Sequence, residues 1–315
     1  MHSEVLSDWT RLFGELYGTE DQALLFYSLI KMQRPENILE LGTGFGVTAF
    51  WMAQAVKENQ AGRVWSVDNG EHWEQMVRQF GANTPSPLLE MVERVRSHPK
   101  FGPLFFTGAA DRRAQPGGGL GSVAGYWDWL EGASSMMELT RHLSLLRGSF
   151  LTGKEIGVSP EIYPYMREVL EKPIDILFAD VEHSIQSVLG VLSQFLPYMA
   201  ESSSIFMDSA ATWLPSYLTL EQTVQQLNHG KVPPIFLTGT NRKQKARVME
   251  LIATRRFTLI PLIEQKHRWQ NGLIWIKIEP VNIMPYPLTA MRGVVSQNPT
   301  PAKALKAFFQ DGQLF

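Results

Sequence analysis

The stretch "ADVEHS" gathers Asp180, Glu182 and His183, three side chains able to exchange protons, and Asp208 closes the later stretch "SIFMD". A neutral imidazole with a pKa near the unperturbed value of about 6.5 accepts a proton at physiological pH, so His183 has the chemistry of a general base. Its competing reading is local: a cap on the helix that follows, or a bond within its own loop. For Asp180 and Asp208 the competing roles are helix capping and contact with a bound cofactor.

A second stretch, "ELGTGFG" (Glu40 to Gly46), puts glycine at positions 42, 44 and 46 directly after a short apolar run. A glycine-rich turn between strand and helix lets a ligand touch backbone N–H groups and the positive helix N-terminus. A dinucleotide fingerprint reads G-x-G-x-x-G, and here Val47 stands where its third glycine belongs. Glu40 precedes the turn, and Asp68 ends the next apolar run, "RVWSVD". An acid at that place can accept hydrogen bonds from both hydroxyls of a ribose. The competing reading of the glycines is a tight turn with no ligand.

These groups need elements to hold them. Residues 1–32 have helical apolar spacing, Pro35 ends the helix, and "NILEL" reads as a buried strand. "AFWMAQAV" is then a helix and "RVWSVD" a strand, a unit that favours a doubly wound parallel sheet. Residues 79–125 are rich in Gly and Pro, carry one helix near Leu88 to Ser97, and read as an inserted lid. Alternation resumes with a helix over Ser134 to Leu146, a strand at "SFLTG", a helix at "PEIYPYMREVLE" and a strand at "IDILFAD". The helix "SVLGVLSQFLPYM", the strand "SSIFMD" and helices at Leu218 to Leu227 and Arg242 to Thr254 follow. "FTLIPLIE" and "GLIWIKIE" form a closing hairpin. The expected organisation is a helical cap (1–36), an α/β domain (37–279) and a Pro-rich tail with a short helix (280–315).

Composition narrows the function. The 315 residues can bury a sizeable core, and 44% apolar with 19% charged residues is ordinary for a globular protein. A formal charge of -2 gives no reason to expect a nucleic-acid or membrane partner. The chain has no cysteine, which removes thiolate chemistry and disulfides and suits a reducing cytoplasm. No secretory signal is read at the start, so the expected location is cytoplasmic.

"ELGTGFG", "WSVD", "PIDILFADVEHS" and "SIFMDSA" together resemble the class I S-adenosylmethionine-dependent methyltransferases, over roughly Tyr17 to Glu279. The resemblance implies a Rossmann-like, mostly parallel sheet with an antiparallel last strand. It implies that Glu40, Gly42, Thr43, Gly44 and Gly46 line the cofactor, that Asp68 holds its ribose, and that Glu155 of "GKE" lies near the adenine. Within the family the chain is most similar to small-molecule O-methyltransferases of the antibiotic-sugar and catechol type. There, acids after the fourth and fifth strands hold Mg²⁺, which implies Asp180 and Asp208 as ligands, and a D-x-x-H spacing places the base, here His183. Two departures stand out: Met207 and Ser209 flank Asp208 where the family carries a second hard ligand, and "DVEHSI" replaces "DGDHSY".

The expected activity is methyl transfer from S-adenosylmethionine to a hydroxyl of a small molecule in secondary metabolism. Trp127 and Trp129 of "GYWDWL", with Trp213, are expected either to wall the acceptor pocket or to serve as core. No nucleic acid or membrane is expected as a partner, and a homodimer is the assembly to test for. Three rivals remain: a metal-independent N- or C-methyltransferase, a nicotinamide-dependent oxidoreductase, and a cofactor-binding protein without turnover.

Overall fold

The computed structural model describes residues 2–14, 19–71, 73, 86–105, 125–150, 162–238, 240–263 and 272–281. Two helices open it, α1 (His2–Phe13) and α2 (Glu20–Gln33). The single expected helix over 1–32 is therefore two, and the second has its own start signal: the Thr19 hydroxyl accepts the Gln22 N–H at 3.1 Å. Arg34, in a left-handed conformation at φ 52°, ends α2 just before Pro35.

A seven-stranded sheet follows, in the order β3-β2-β1-β4-β5-β7-β6. Its strands are β1 (Asn37–Leu41), β2 (Arg63–Asp68), β3 (Leu143–Arg147), β4 (Ile174–Ala179), β5 (Met199–Met207), β6 (Arg255–Ile263) and β7 (Gly272–Pro280). β1 through β5 pair in parallel, while β7 is antiparallel to both β5 and β6, the pattern the closing hairpin predicts. Helices α3 (Val47–Asn59), α4 (Ser86–Ser97), α5 (Gly102–Phe105) and α6 (Tyr126–Met136) come between β1 and β3. Helices α7 (Tyr163–Val169), α8 (Ile185–Phe195), α9 (Leu214–Asn228) and α10 (Arg242–Thr254) complete the set.

Two apolar clusters cover the two faces of the sheet. α1 to α6 pack against one face through Trp9, Phe26, Phe50 and Trp129, and α7 to α10 against the other through Val191, Leu220 and Leu251. Both faces being covered explains why β1 is buried along its whole length. β3 lies earlier than the expected "SFLTG" strand, because Glu138 turns left-handed at φ 57° and stops the helix at Met136. Within the expected lid, Ser86–Ser97 and Gly102–Phe105 are helical, and this part buries Met91, Val92, Val95, Phe101 and Phe105 in the core. The rest of that stretch up to Ala124, apart from Trp73 just before it, lies outside the described residues, as do Glu155 and the tail beyond Val281. No helix among the described residues is long and apolar enough to cross a membrane.

Candidate active site

Strand register brings the chemistry to one edge. Leu41 pairs with Ala179, and Ala179 with Met207, so Gly42, Asp180 and Asp208 leave three neighbouring strands together. The ladder carries on one step past the strands: the Asp180 N–H donates to the Leu41 carbonyl (2.8 Å) and the Asp208 N–H to the Ala179 carbonyl (2.9 Å). Ligands of open α/β sheets bind at this carboxyl edge.

The glycine turn needs its glycines. Gly42, Gly44 and Gly46 have φ of 92°, 51° and 73°. A Cβ at Gly42 would stand 2.0 Å from the Asp180 carbonyl oxygen. Gly46 opens α3 without a side-chain cap, so the first-turn N–H groups of a 13-residue helix face the edge. Asp68 braces the turn: one carboxylate oxygen accepts the Thr43 and Gly44 N–H groups (2.9 and 3.1 Å) and the other accepts Gly70 N–H (2.6 Å). These bonds hold the carboxylate against the glycine turn at the carboxyl edge of β2.

Glu40 is wholly buried beneath the turn. It stands opposite Ser66 on β2 and accepts that hydroxyl's hydrogen bond, while Ser66 meets Thr43 at 2.6 Å. Its other oxygen has no partner among the described residues, and burial pushes its carboxyl well above the ordinary value of 4.5, with Asp180 and Asp68 adding to the rise. An acid raised on folding stabilises the protein fully below its unfolded pKa, and that contribution is lost as pH climbs from there through the folded value. Glu40→Gln, a mimic of the neutral acid, should therefore gain in thermal midpoint over wild type as pH rises from 5 to 8. A gap that stays constant with pH would show that Glu40 is ionised in the fold.

Asp180, His183 and Asp208 offer ligand atoms that all lie within 4.8 Å of one another, at half-buried positions. Asp208 is held from two sides: Gln22 Nε2 of α2 donates to Oδ1 (3.1 Å), and the Ser209 hydroxyl to Oδ2 (2.7 Å). α2 is seated by Phe26, whose ring packs 4.8 Å from both Phe178 and Phe206 on the strands that lead to these acids. The Ser216 hydroxyl donates to the His183 carbonyl at 2.5 Å, tying the start of α9 to the histidine loop. Burial lowers the His183 pKa below its usual value, against an opposing pull from Asp208. The cap of α8 is Ser184, so the helix does not need the His183 side chain. Glu182 is exposed, accepts from Ser187 and lines the same cavity as His183 and Asp208.

The tryptophans part company. Trp129 is 1% exposed and sits among Trp9, Phe13, Phe45 and Trp73, so it belongs to the core. Trp127 packs partly buried on that core. Trp213 is 48% exposed, next to Leu214 and five residues after Asp208, with its backbone N–H bonded to the Ser209 carbonyl. Sequence reasoning missed the contacts that two residues make at this edge: Gln22 with Asp208, and Tyr126, read only as one of the aromatics of "GYWDWL", with the glycine turn. The Thr19–Glu20–Asp21–Gln22 start signal marks where α2 begins but not what Gln22 reaches.

Strand order, glycine turn and convergent acids define a doubly wound α/β protein whose glycine turn and acids meet at the carboxyl edge of the sheet. Residues 39–210, more than half of the chain, match the model of a methyltransferase-domain family, and the chain belongs to that family. Among solved structures it is similar to the O-methyltransferase TomG from Streptomyces achromogenes, involved in tomaymycin synthesis and solved with SAM. The two share 13% identity over 88% of this chain and 90% of that one, with a TM-score of 0.42. It is similar also to the O-methyltransferase from Bacillus cereus solved with SAH, with 13% identity over 88% and 90% and a TM-score of 0.42. The SAH-bound methyltransferase PaMTH1 of Podospora anserina shares 12% identity over 87% and 86%, with a TM-score of 0.40. No curated protein sequence matches the chain.

Proposed function

We propose that this chain transfers the methyl group of S-adenosylmethionine to a hydroxyl of a small molecule, with Asp180 and Asp208 holding Mg²⁺ and His183 acting as base. The observation that carries the reading is the convergence of Asp180, His183 and Asp208 beside a glycine turn whose Gly42 lies against the Asp180 backbone. Glycines at positive φ, an uncapped helix start and the Asp68 carboxylate suit an adenosine-bearing ligand with a carboxylate tail.

When bound, S-adenosylmethionine supplies an electrophilic methyl group, and a divalent cation lowers the pKa of a coordinated hydroxyl. The chain's own work is positioning. Displacement at carbon needs acceptor oxygen, methyl and sulfur in line and water kept away. Asp68 and the turn fix one reactant at the strand edge, and the exposed Trp213 offers an apolar wall for the other. His183, close to both carboxylates, receives the acceptor's proton. Two carboxylates make a sparse but adequate set for Mg²⁺, which retains several waters.

Calorimetry with S-adenosylhomocysteine tests the cofactor. Saturable binding is expected with no response to NAD or NADP, and the reverse result would replace the reading with an oxidoreductase. EDTA tests the cation. Release of S-adenosylhomocysteine in a panel of phenol, catechol and sugar hydroxyl acceptors should fall after chelation and return with Mg²⁺. Full activity after chelation would remove the cation and leave proton transfer to His183 alone.

A further inference from the structure

Tyr126 begins α6, where the described chain resumes after residue 124, 82 positions from the glycine turn in sequence. Its hydroxyl nevertheless donates to the Gly44 carbonyl at 2.8 Å. Its ring lies where any Cβ on Gly70 would meet it at 3.2 Å, and Gly70 is one of the three N–H donors that hold Asp68. The side chain is 7% exposed, backed by Trp73 and Trp129. One residue from outside the β1–turn–α3 unit thus touches both strands of the cradle, the turn at Gly44 and the loop after β2.

We propose that Tyr126 is a positioning residue for the cofactor turn, selecting one backbone conformation of Gly42 to Gly46 and so setting the affinity for an adenosine-bearing ligand. The inference rests on the cofactor reading above. Glycine populates positive and negative φ about equally, so a turn with three of them has several backbone states of similar energy. A peptide flip at Gly44 would swing its carbonyl toward the ligand edge and its neighbour's N–H away. A buried donor on that carbonyl disfavours the flip, because flipping would break this hydrogen bond. Preorganisation of this kind raises affinity by lowering the ordering cost of binding. Burial raises the phenol's pKa well above 10, so it stays a donor throughout the working pH range. Linkage is reciprocal: a ligand that fixes the turn also holds the start of α6 in place.

The test is Tyr126→Phe, which keeps the ring and removes the hydroxyl. S-adenosylhomocysteine is titrated by calorimetry into both proteins, the ligand-free thermal midpoints are compared, and amide exchange is followed at residues 43–46. The expected result is a threefold to tenfold weaker Kd, about the worth of one hydrogen bond. It should come with a midpoint lowered only slightly and faster exchange confined to the turn. An unchanged Kd overturns the inference. So does a weaker Kd accompanied by a large drop in midpoint and faster exchange across the sheet, since Tyr126 would then only pack. If wild type itself fails to bind S-adenosylhomocysteine, the cofactor reading falls, and this inference with it.

Discussion

His183→Gln is expected to cut turnover by about 10²–10⁴-fold while leaving S-adenosylhomocysteine affinity nearly unchanged. The imidazole is half-buried beside Asp208, and glutamine keeps its approximate size and hydrogen bonding without being able to take a proton near neutral pH. Because burial lowers the histidine's pKa, the neutral, proton-accepting form persists to more acidic pH than in a free imidazole. The acidic limb of the wild-type rate should therefore lie below the ordinary histidine value of 6.5. The measurement is a pair of pH–rate profiles, wild type and variant, on one acceptor. A variant with wild-type turnover and the same acidic limb would make His183 structural. Titration with Mn²⁺ adds a second distinction: loss of cation binding in His183→Gln would make the histidine a ligand, and a coordinated imidazole cannot also be the base.

Gly42→Ala should be the most damaging methyl group at any of the described glycines. The new Cβ would sit 2.0 Å from the Asp180 carbonyl oxygen, and neither partner can move aside cheaply, because both are backbone held in the sheet ladder. Positive φ adds strain of about 1–3 kcal/mol. With the overlap, a loss of about 3 kcal/mol or more in stability is expected. S-adenosylhomocysteine binding should be abolished, since relief of the clash must separate the turn from the Asp180 loop. Thermal unfolding and calorimetry measure the two effects. A variant that melts with wild type and binds the ligand normally would mean that β1 and β4 part more easily at this edge than their pairing implies.

Much of the sheet was legible because strands and helices alternate with clear apolar runs, and the antiparallel closure was legible because β6 and β7 read as a hairpin. The acids at the strand ends were legible for the same reason: once the strands are placed, register alone delivers Gly42, Asp180 and Asp208 to one edge. β3 was not. "LSLLR" follows a helix whose apolar spacing runs into it, and the break is made by Glu138, a residue type that gives no turn signal. The contacts of Tyr126 and Gln22 were invisible because their partners lie 82 and 186 positions away, beyond any local pattern. Trp129 and Trp213 carry the same side chain, and only burial separates a core residue from a candidate pocket wall.

The reach of α2 bears on how this domain can be cut and moved. The family match starts at residue 39, yet the donor on Asp208 Oδ1 is Gln22, and the ring that wedges β4 and β5 from beneath is Phe26. A transplant trimmed to the matched segment would keep Glu40, Asp68, Asp180 and Asp208 and lose the side chains that aim and brace the last of them. The smallest portable unit of this chemistry begins no later than Thr19, whose hydroxyl starts the helix that carries both. Chimeras joined at β1 would inherit the site's composition without its alignment.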